Sequence, residues 1–473
     1  MPIHRFASLT FVVLFFCKTL SAHILADSAT VLTLPDFLKI VQQQHPVARQ
    51  AAWLQSTAQA QLLAAKGGFD PKIMGNWEQK KFDEKTYFNT SEIGVKLPTW
   101  YGIELKGTYN TASGTFLNPE EKLPPRGQAV LGASFSLLQG LMIDDRRAAL
   151  AKAKQMQGAS QTERADLVNE LLFEAAQAYW KWALAAQQNT VVRQMTDVAK
   201  VRFQAIKQTV AQGDRMALDT LEALIAVQER TLQLNETDID LQMARFKLSN
   251  FLWKNETEPF LLAPNILPDP LEQIPLFPIS DTQREALVNR ITEQHPALQN
   301  YRFKLAQLDI DRRLKAEKFK PKLNFNYNFL GNSWDVLNVP FANNYKWGVS
   351  FSTPSLLLRS ERGEWQETKI KIEVVESQRL QKTLELTNKL RAAVAETNNL
   401  TLQIRLSEQT VANYSALVRG ENRRFELGES SLFLINAREM KFLEAQLKLT
   451  KLRASFQTAR VALDWAGGRL GNQ

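Results

Sequence analysis

With 473 residues, of which 44% are hydrophobic and 23% charged, the chain has the make-up of an ordered protein, long enough for two or three ordinary domains. Its net charge of +9 is mild for that length. The basic residues are scattered, with no basic stripe interleaved with aromatics, which argues against nucleic-acid binding.

In chain order, His4 and Arg5 precede an apolar run from Phe6 to Phe16, and small residues follow at Ser21, Ala22 and Ala26. That order predicts a secretory signal peptide over residues 1–22. The run is too short to span a bilayer, which takes about 20 apolar residues. Cys17 falls inside it, and Phe15 and Phe16 stand where a lipidated cysteine would need small residues. The mature chain is therefore expected to lack cysteine and disulfides. No later run of about 18 apolar residues suggests a helical membrane anchor.

Residues 23–71 read as helices, with a helix from Pro46 to about Lys66 behind His45. Residues 72–140 read as strands, and 141–253 as a long helical hairpin turned at Gly213. Residues 254–280 hold Pro259, Pro264, Pro268, Pro270, Pro275 and Pro278, which predict an irregular connector. The plan then repeats: helices over 281–320, strands over 321–354, a hairpin over 355–466 turned at Gly428, and a tail over 467–473.

Three landmark sets recur in the same order, which argues for duplication. His45-Pro46 and Pro71-Lys72 return as His295-Pro296 and Pro321-Lys322, 250 positions on (295 − 45). Gly132, Ser134, Phe135, Ser136 and Arg146 match Gly348, Ser350, Phe351, Ser352 and Arg362 at a shift of 216 (348 − 132). Gly213 matches Gly428. The drop in shift leaves the first copy with 34 extra residues (250 − 216) between Pro71 and Gly132.

Leu323, Phe325, Tyr327 and Phe329 alternate with asparagines, and Trp347, Val349 and Phe351 with Lys346, Gly348 and Ser350. Ala129, Leu131, Ala133 and Phe135 interleave with Gly132, Ser134 and Ser136. A soluble sheet would show the same period of two. Strand length and aromatic-rich apolar faces opposite Asn, Ser and Lys favour a membrane barrel. The extra residues read as a hairpin, with Ile93, Val95 and Leu97 before the turn Pro98–Gly102 and Ile103, Leu105 and Tyr109 after it. The sequence leaves open whether that hairpin joins the barrel wall; with or without it, four to six strands per chain are too few to close a barrel, for which about eight is the practical minimum, so the protomer needs copies of itself.

After each glycine turn the helices carry two apolar rows of period seven. Leu218, Ile225, Leu232, Ile239, Phe246 and Trp253 form one row, and Val227, Leu234, Leu241 and Leu248 another. In the second copy the rows are Phe433, Met440, Leu447, Ala454 and Val461, then Ile435, Phe442, Leu449, Phe456 and Leu463. The rows are two residues apart, roughly 200° around a helix. Period seven implies coiled-coil-like packing, and two opposed seams suit a stave with a neighbour on each side, although a buried bundle helix is the plainer alternative.

The His-Pro helix starts, the strands ending Gly-x-Ser-Phe-Ser and the turns Gly213-Asp214-Arg215 and Gly428-Glu429-Ser430 carry a family resemblance. So do the post-turn segments Leu218–Ala223 and Leu432–Ala437. In these features the sequence resembles the TolC family of outer-membrane channel proteins over nearly the whole mature chain. The resemblance implies an α+β fold, in which outer-membrane β-barrel strands run into a long periplasmic α-helical barrel. It implies a homotrimer with a shared twelve-stranded barrel and twelve helices, set in outer-membrane lipid. Its implied partners are a periplasmic adaptor and an inner-membrane pump of RND, ABC or MFS type, and its implied role is an exit duct for efflux or type I secretion.

Gly213, Asp214, Arg215, Gly428, Glu429 and Ser430 then become the candidate adaptor-docking tip. Some family members narrow the tip with carboxylate rings after the second turn; here Phe433 and Asn436 stand there, whereas Asp219 and Glu222 are in the first copy. These four are candidate gate residues, with Arg215 as a further contact; the plainer reading is solvated charge at a helix start.

No metal-ligand cluster, nucleophile elbow or phosphate-binding loop appears, and His45 and His295 before proline suit helix starts. No catalytic residue, cofactor or metal is therefore predicted. The rival is an exported oligomeric helical pore-former, which would not need two sets of aromatic strands. A periplasmic coiled-coil scaffold would show one seam and no spanning strands.

Overall fold

The computed structural model describes residues 30–255, 257–271, 276–332, 343–354 and 356–470. The signal-peptide reading of residues 1–22, Cys17 included, lies outside them, as does the connector's Pro275. The elements run β1 (Thr30–Leu32), α1 (Leu34–Gln44), α2 (Pro46–Lys66), β2 (Lys72–Phe82), β3 (Lys85–Pro98), β4 (Ile103–Ser113), β5 (Gln128–Ser136), α3 (Asp145–Ala211) and α4 (Ala217–Ser249). There follow β6 (Trp253–Lys254), β7 (Glu258–Pro259), β8 (Ile266–Pro268), α5 (Asp281–Gln294), α6 (Pro296–Glu317), β9 (Lys322–Asn332), β10 (Tyr345–Ser352), α7 (Arg359–Glu426) and α8 (Leu432–Ala466). Among the described residues, no helix is long and apolar enough to cross a membrane.

The two long helices, of 67 and 68 residues, would each reach roughly 100 Å at 1.5 Å per residue. They lie in one layer, where α7 packs on α8, α8 on α3, and α3 on α4. The shorter helices α2 and α6 extend this layer: α2 packs on α3, and α6 lies between α3 and α7. At the α4–α2 junction the His45 ring stacks on Phe251, with centroids 6.0 Å apart, and meets Trp253 edge-on at the same distance. At the α8–α6 junction His295 and Pro296 sit against the backbone of Gly468, where an added Cβ would fall 2.7 Å from Pro296 Cδ. Four staves result: α7, α8 with α6, α3, and α4 with α2.

The His-Pro pairs do what the sequence predicts. Each histidine caps its helix through Nδ1, which accepts from the Val47 N–H at 3.2 Å and from the Ala297 N–H at 3.2 Å, and each proline takes the first turn, where no N–H is needed. His295 is only 3% exposed. Burial, aided by the charge of Lys382 and opposed by the Trp465 backbone, lowers its pKa to about 4. From pH 6.5 down to about 4 the unfolded chain binds a proton that the folded chain refuses, so stability falls with pH across that window, by roughly 3 kcal/mol. His295→Asn keeps a capping side chain and removes the titration. Melting at pH 7 and pH 4.5 is expected to show a clearly smaller acid shift for the variant; an equal shift would remove His295 from the account.

A collar surrounds these junctions. β1 pairs in parallel with β8. The Tyr179 hydroxyl donates to the Leu32 carbonyl at 2.7 Å and accepts from the Asp269 N–H at 2.9 Å, tying both strands to α3. Phe37, Val41, Leu172, Trp182 and Leu248 fill the core beneath.

β6 and β7 pair with each other, and the remaining six strands form one antiparallel sheet in the order β10-β9-β5-β4-β3-β2. A trimeric twelve-stranded barrel would take four strands from each copy, whereas six share this sheet. The physical reason is register. Ile73 pairs with Val95, Leu97 with Leu105, Leu105 with Ala133, Phe135 with Phe325, and Phe325 with Val349, so one apolar face runs unbroken over the inserted β3–β4 hairpin. The strands follow the staves: β10 leads into α7, α6 into β9, β5 into α3, and α2 into β2, with the extra hairpin between the last two.

Candidate functional site

Two regions of the molecule stand out, the far tips of the helical hairpins and the two edges of the stave layer.

At the tips, α3 and α7 close in the same way. The Gly213 N–H donates to the Val210 carbonyl and the Asp214 N–H to Thr209, at 3.0 and 3.1 Å; the Gly428 and Glu429 N–H groups donate to Phe425 and Arg424, at 3.1 and 2.8 Å. Both glycines have positive φ, +86° and +79°, while nothing lies within 4 Å of an added Cβ. Backbone conformation rather than space therefore calls for glycine at both turns.

The fold brings the two tips together. Ile206, Ala223 and Leu432 form a buried cluster, with Phe203, Val210 and Phe425 packed on it. The Arg215 guanidinium lies over the Phe425 ring, 3.9 Å from its centroid, and reaches Asp219 at 3.8 Å. One turn is thus fastened to the other by a cation–π contact. Asp214 and Glu429 are exposed, as is Phe433, whereas Asp219, Glu222 and Asn436 are half-buried. Ser430 donates to Glu421, a buried carboxylate that also faces Arg424 and Arg438, each at 3.9 Å. Of the candidate gate residues, Asp219 is met by Arg215 within the chain.

Above the tips lies a polar knot that sequence reasoning missed. Both Arg202 guanidinium arms hold the Glu439 carboxylate, one at 2.6 Å, with both side chains largely buried. Arg230, also buried, sends Nη1 toward Met440 Sδ at 3.2 Å. Burial lowers the Arg230 pKa, and Glu439 is the foremost opposing charge. Glu439 thus pairs with Arg202 and lends its charge to Arg230 between α3, α4 and α8. Each residue alone reads as solvated helix charge, and nothing in the sequence links positions 202 and 439.

The edges explain the seams. On α8 both rows are covered beyond Phe433, which is exposed at the tip: Ile435, Leu449, Phe456 and Leu463 are buried, and so are Ala454 and Val461. On α4 only one row is covered, ending in fully buried Leu248; the other row, Leu218, Ile225, Leu232, Ile239 and Phe246, is exposed along its whole length. At the opposite edge, α7 exposes Ile370, Val374, Leu380, Leu384, Leu402, Leu406 and Leu417, which fall on one side of the helix at about 100° per residue. The two outer staves each carry an apolar stripe without a partner in the chain.

Among the described residues there is no group of three or more His, Cys, Asp or Glu side chains placed to hold a metal ion.

A family model described as "Outer membrane efflux protein" matches residues 105–252 and 287–469. Among curated proteins none matches significantly. Solved structures match over most of the chain. The Campylobacter jejuni CmeC outer membrane channel aligns with a TM-score of 0.66 at 14% identity, over 99% of this chain and 94% of that one. The open state of the Neisseria gonorrhoeae MtrE outer membrane channel gives 0.67 at 13% identity, over 92% and 88%. The Vibrio cholerae outer membrane protein VceC gives 0.64 at 14% identity, over 92% and 96%. At these identities the likeness is one of fold.

Proposed function

Because the chain belongs to the outer membrane efflux protein family, we propose that it is one third of an exit duct for a tripartite efflux or type I secretion system. The strands sit in the outer membrane, and the staves form a tube through the periplasm. The observation that carries this reading is the pair of unpartnered apolar stripes on α4 and α7. An α4 edge of one copy laid on the α7 edge of the next covers both and repeats around a ring. The apolar sheet face suits lipid, and the polar face suits a wet lumen.

The tip turns at Gly213, Asp214, Arg215, Gly428, Glu429 and Ser430 are the docking points for a periplasmic adaptor, which couples the duct to an inner-membrane pump of RND, ABC or MFS type. Asp219, Glu222, Phe433 and Asn436, one turn inside the tips, are the gate candidates, opened when docking separates Arg215 from Phe425. Conduction is passive, and the pump selects the cargo.

The test uses the full chain in cells that carry its adaptor and pump. Photo-crosslinkers at Asp214 and Glu429 are expected to capture a periplasmic protein, and deletion of the chain is expected to raise accumulation of a fluorescent pump substrate several-fold. Unchanged accumulation, together with a chain recovered as a soluble periplasmic monomer, would overturn the proposal.

A further inference from the structure

The β3–β4 hairpin is the part of the molecule that the family resemblance leaves without a role. Four observations bear on it. First, it lies inside the sheet: β3 pairs with β2 along its length and β4 with β5. Second, its apolar residues are in phase with the flanking strands. Ile93, Val95, Leu97, Ile103 and Leu105 are exposed on the same face as Ile73, Leu131, Trp347, Val349 and Phe351. Third, its opposite face is charged and internally balanced, with Lys96 and Glu104 2.5 Å apart and Lys106 and Glu92 also 2.5 Å apart. A face of that kind is costly in hydrocarbon and ordinary in a water-filled lumen. Fourth, its turn carries Trp100 and Tyr101, both exposed, at the helix end of the sheet, where a barrel carries its interfacial aromatics. The hairpin is also anchored at that end, since Arg146 at the start of α3 reaches Glu104 at 3.0 Å.

The dimensions agree. β4 has 11 residues, roughly 36 Å along the strand, or about 25 Å of height at a 45° tilt, which matches the apolar band of a membrane barrel. Six strands about 4.8 Å apart, tilted 35–45°, span roughly 35–40 Å of arc.

We propose that the β3–β4 hairpin is a lipid-facing part of the channel wall, so that three copies close an eighteen-stranded barrel, six strands from each, by joining β10 of one copy to β2 of the next. Lys96, Lys106, Glu92 and Glu104 then line the lumen with a belt of charge pairs. Barrels of 16–18 strands enclose an aqueous channel, so the outer mouth is wide. Closure also removes the two open edges, which lipid does not tolerate. This inference rests on the outer-membrane channel reading.

Single-cysteine variants of the full chain, reconstituted in vesicles, test it. Val95→Cys and Leu105→Cys probe the hairpin's apolar face, and Thr90→Cys and Lys106→Cys its polar face. Leu131→Cys, Phe325→Cys, Ser134→Cys and Asn326→Cys serve as matching controls on β5 and β9. The apolar-face positions of both sets are expected to react at least tenfold more slowly with a charged, membrane-impermeant thiol reagent. A fluorophore attached there is expected to be quenched by brominated acyl chains. Equal reactivity on the two hairpin faces, with alternation kept in the controls, would overturn the inference and leave the channel reading standing. Loss of alternation in the controls as well would overturn both. Should a variant fail to assemble, electron cryomicroscopy of the unmodified protein decides: eighteen strands support the inference, and twelve refute it.

Discussion

Placing carboxylates on the exposed α4 row, as Ile225→Asp with Ile239→Asp, is expected to leave a folded chain that no longer associates. Both residues are exposed in the single chain, at 45% and 58%, so the substitutions stay outside its core, and surface changes of that kind cost within about 0.5 kcal/mol. In the proposed ring each half-exposed isoleucine is buried against the next copy's α7, a burial that contributes roughly 1 kcal/mol or more per side chain. A carboxylate there also loses hydration without a partner. Two sites at each interface therefore weaken association at least 100-fold. Light scattering after size exclusion should show single chains with wild-type helical circular dichroism. The contrast is Leu248→Asp on the same helix: that side chain is fully buried against α3 and the collar, and its replacement should unfold the chain. If the double variant assembles normally, the α4 row is not an interface.

The second large effect is expected at the Arg202–Glu439 knot. Glu439→Gln leaves Arg202 in a largely buried layer without its anion and removes the foremost negative charge acting on Arg230. Removing one partner of a buried pair costs roughly 3–5 kcal/mol, because the remaining charge stays desolvated. The loss falls on the contact between α3 and α8, near the tips, so the two hairpins should part there while the collar holds. Hydrogen exchange is expected to accelerate over the distal third of α3 and α8 and to stay unchanged around Tyr179 and Trp182. Replacing Arg202 and Glu439 together by Leu and Met should recover much of the stability, as hydrophobic replacement of a buried pair often does. Uniform exchange along both helices, or no change, would remove the knot from the account.

Much of the fold was legible because its elements carry long, regular periods. The alternation of Leu323, Phe325, Tyr327 and Phe329 gave a strand, the His-Pro pairs gave helix starts, and the glycines gave turns with positive φ. The seven-residue rows gave two seams for each return helix. They could not say which seam the chain covers by itself, since that depends on the order of staves and not on any one helix. α8 is internal and α4 is an edge, although their patterns look alike. The helix after the first turn stops at Ser249, short of the predicted Trp253, because Trp253 leaves the helical row to pair in β6 with Pro259.

The candidate site was legible in part. The tip turns stand out through their glycines, but Arg215 stacking on Phe425 joins two hairpins 210 positions apart (425 − 215), and no local pattern encodes that. The extra residues announced a hairpin without placing it. Its position follows only from register, where Leu97 meets Leu105 and Leu105 meets Ala133, so the apolar face continues across the insertion.

The central claim is that the chain is one third of a closed ring, its two bare edges covered by its own copies. Native mass spectrometry of the full chain, released from outer membranes in mild detergent, tests it most directly. A particle of three chains is expected, falling to one when Ile225 and Ile239 carry carboxylates. A wild-type particle of a single chain, stable with both apolar edges uncovered, would contradict it.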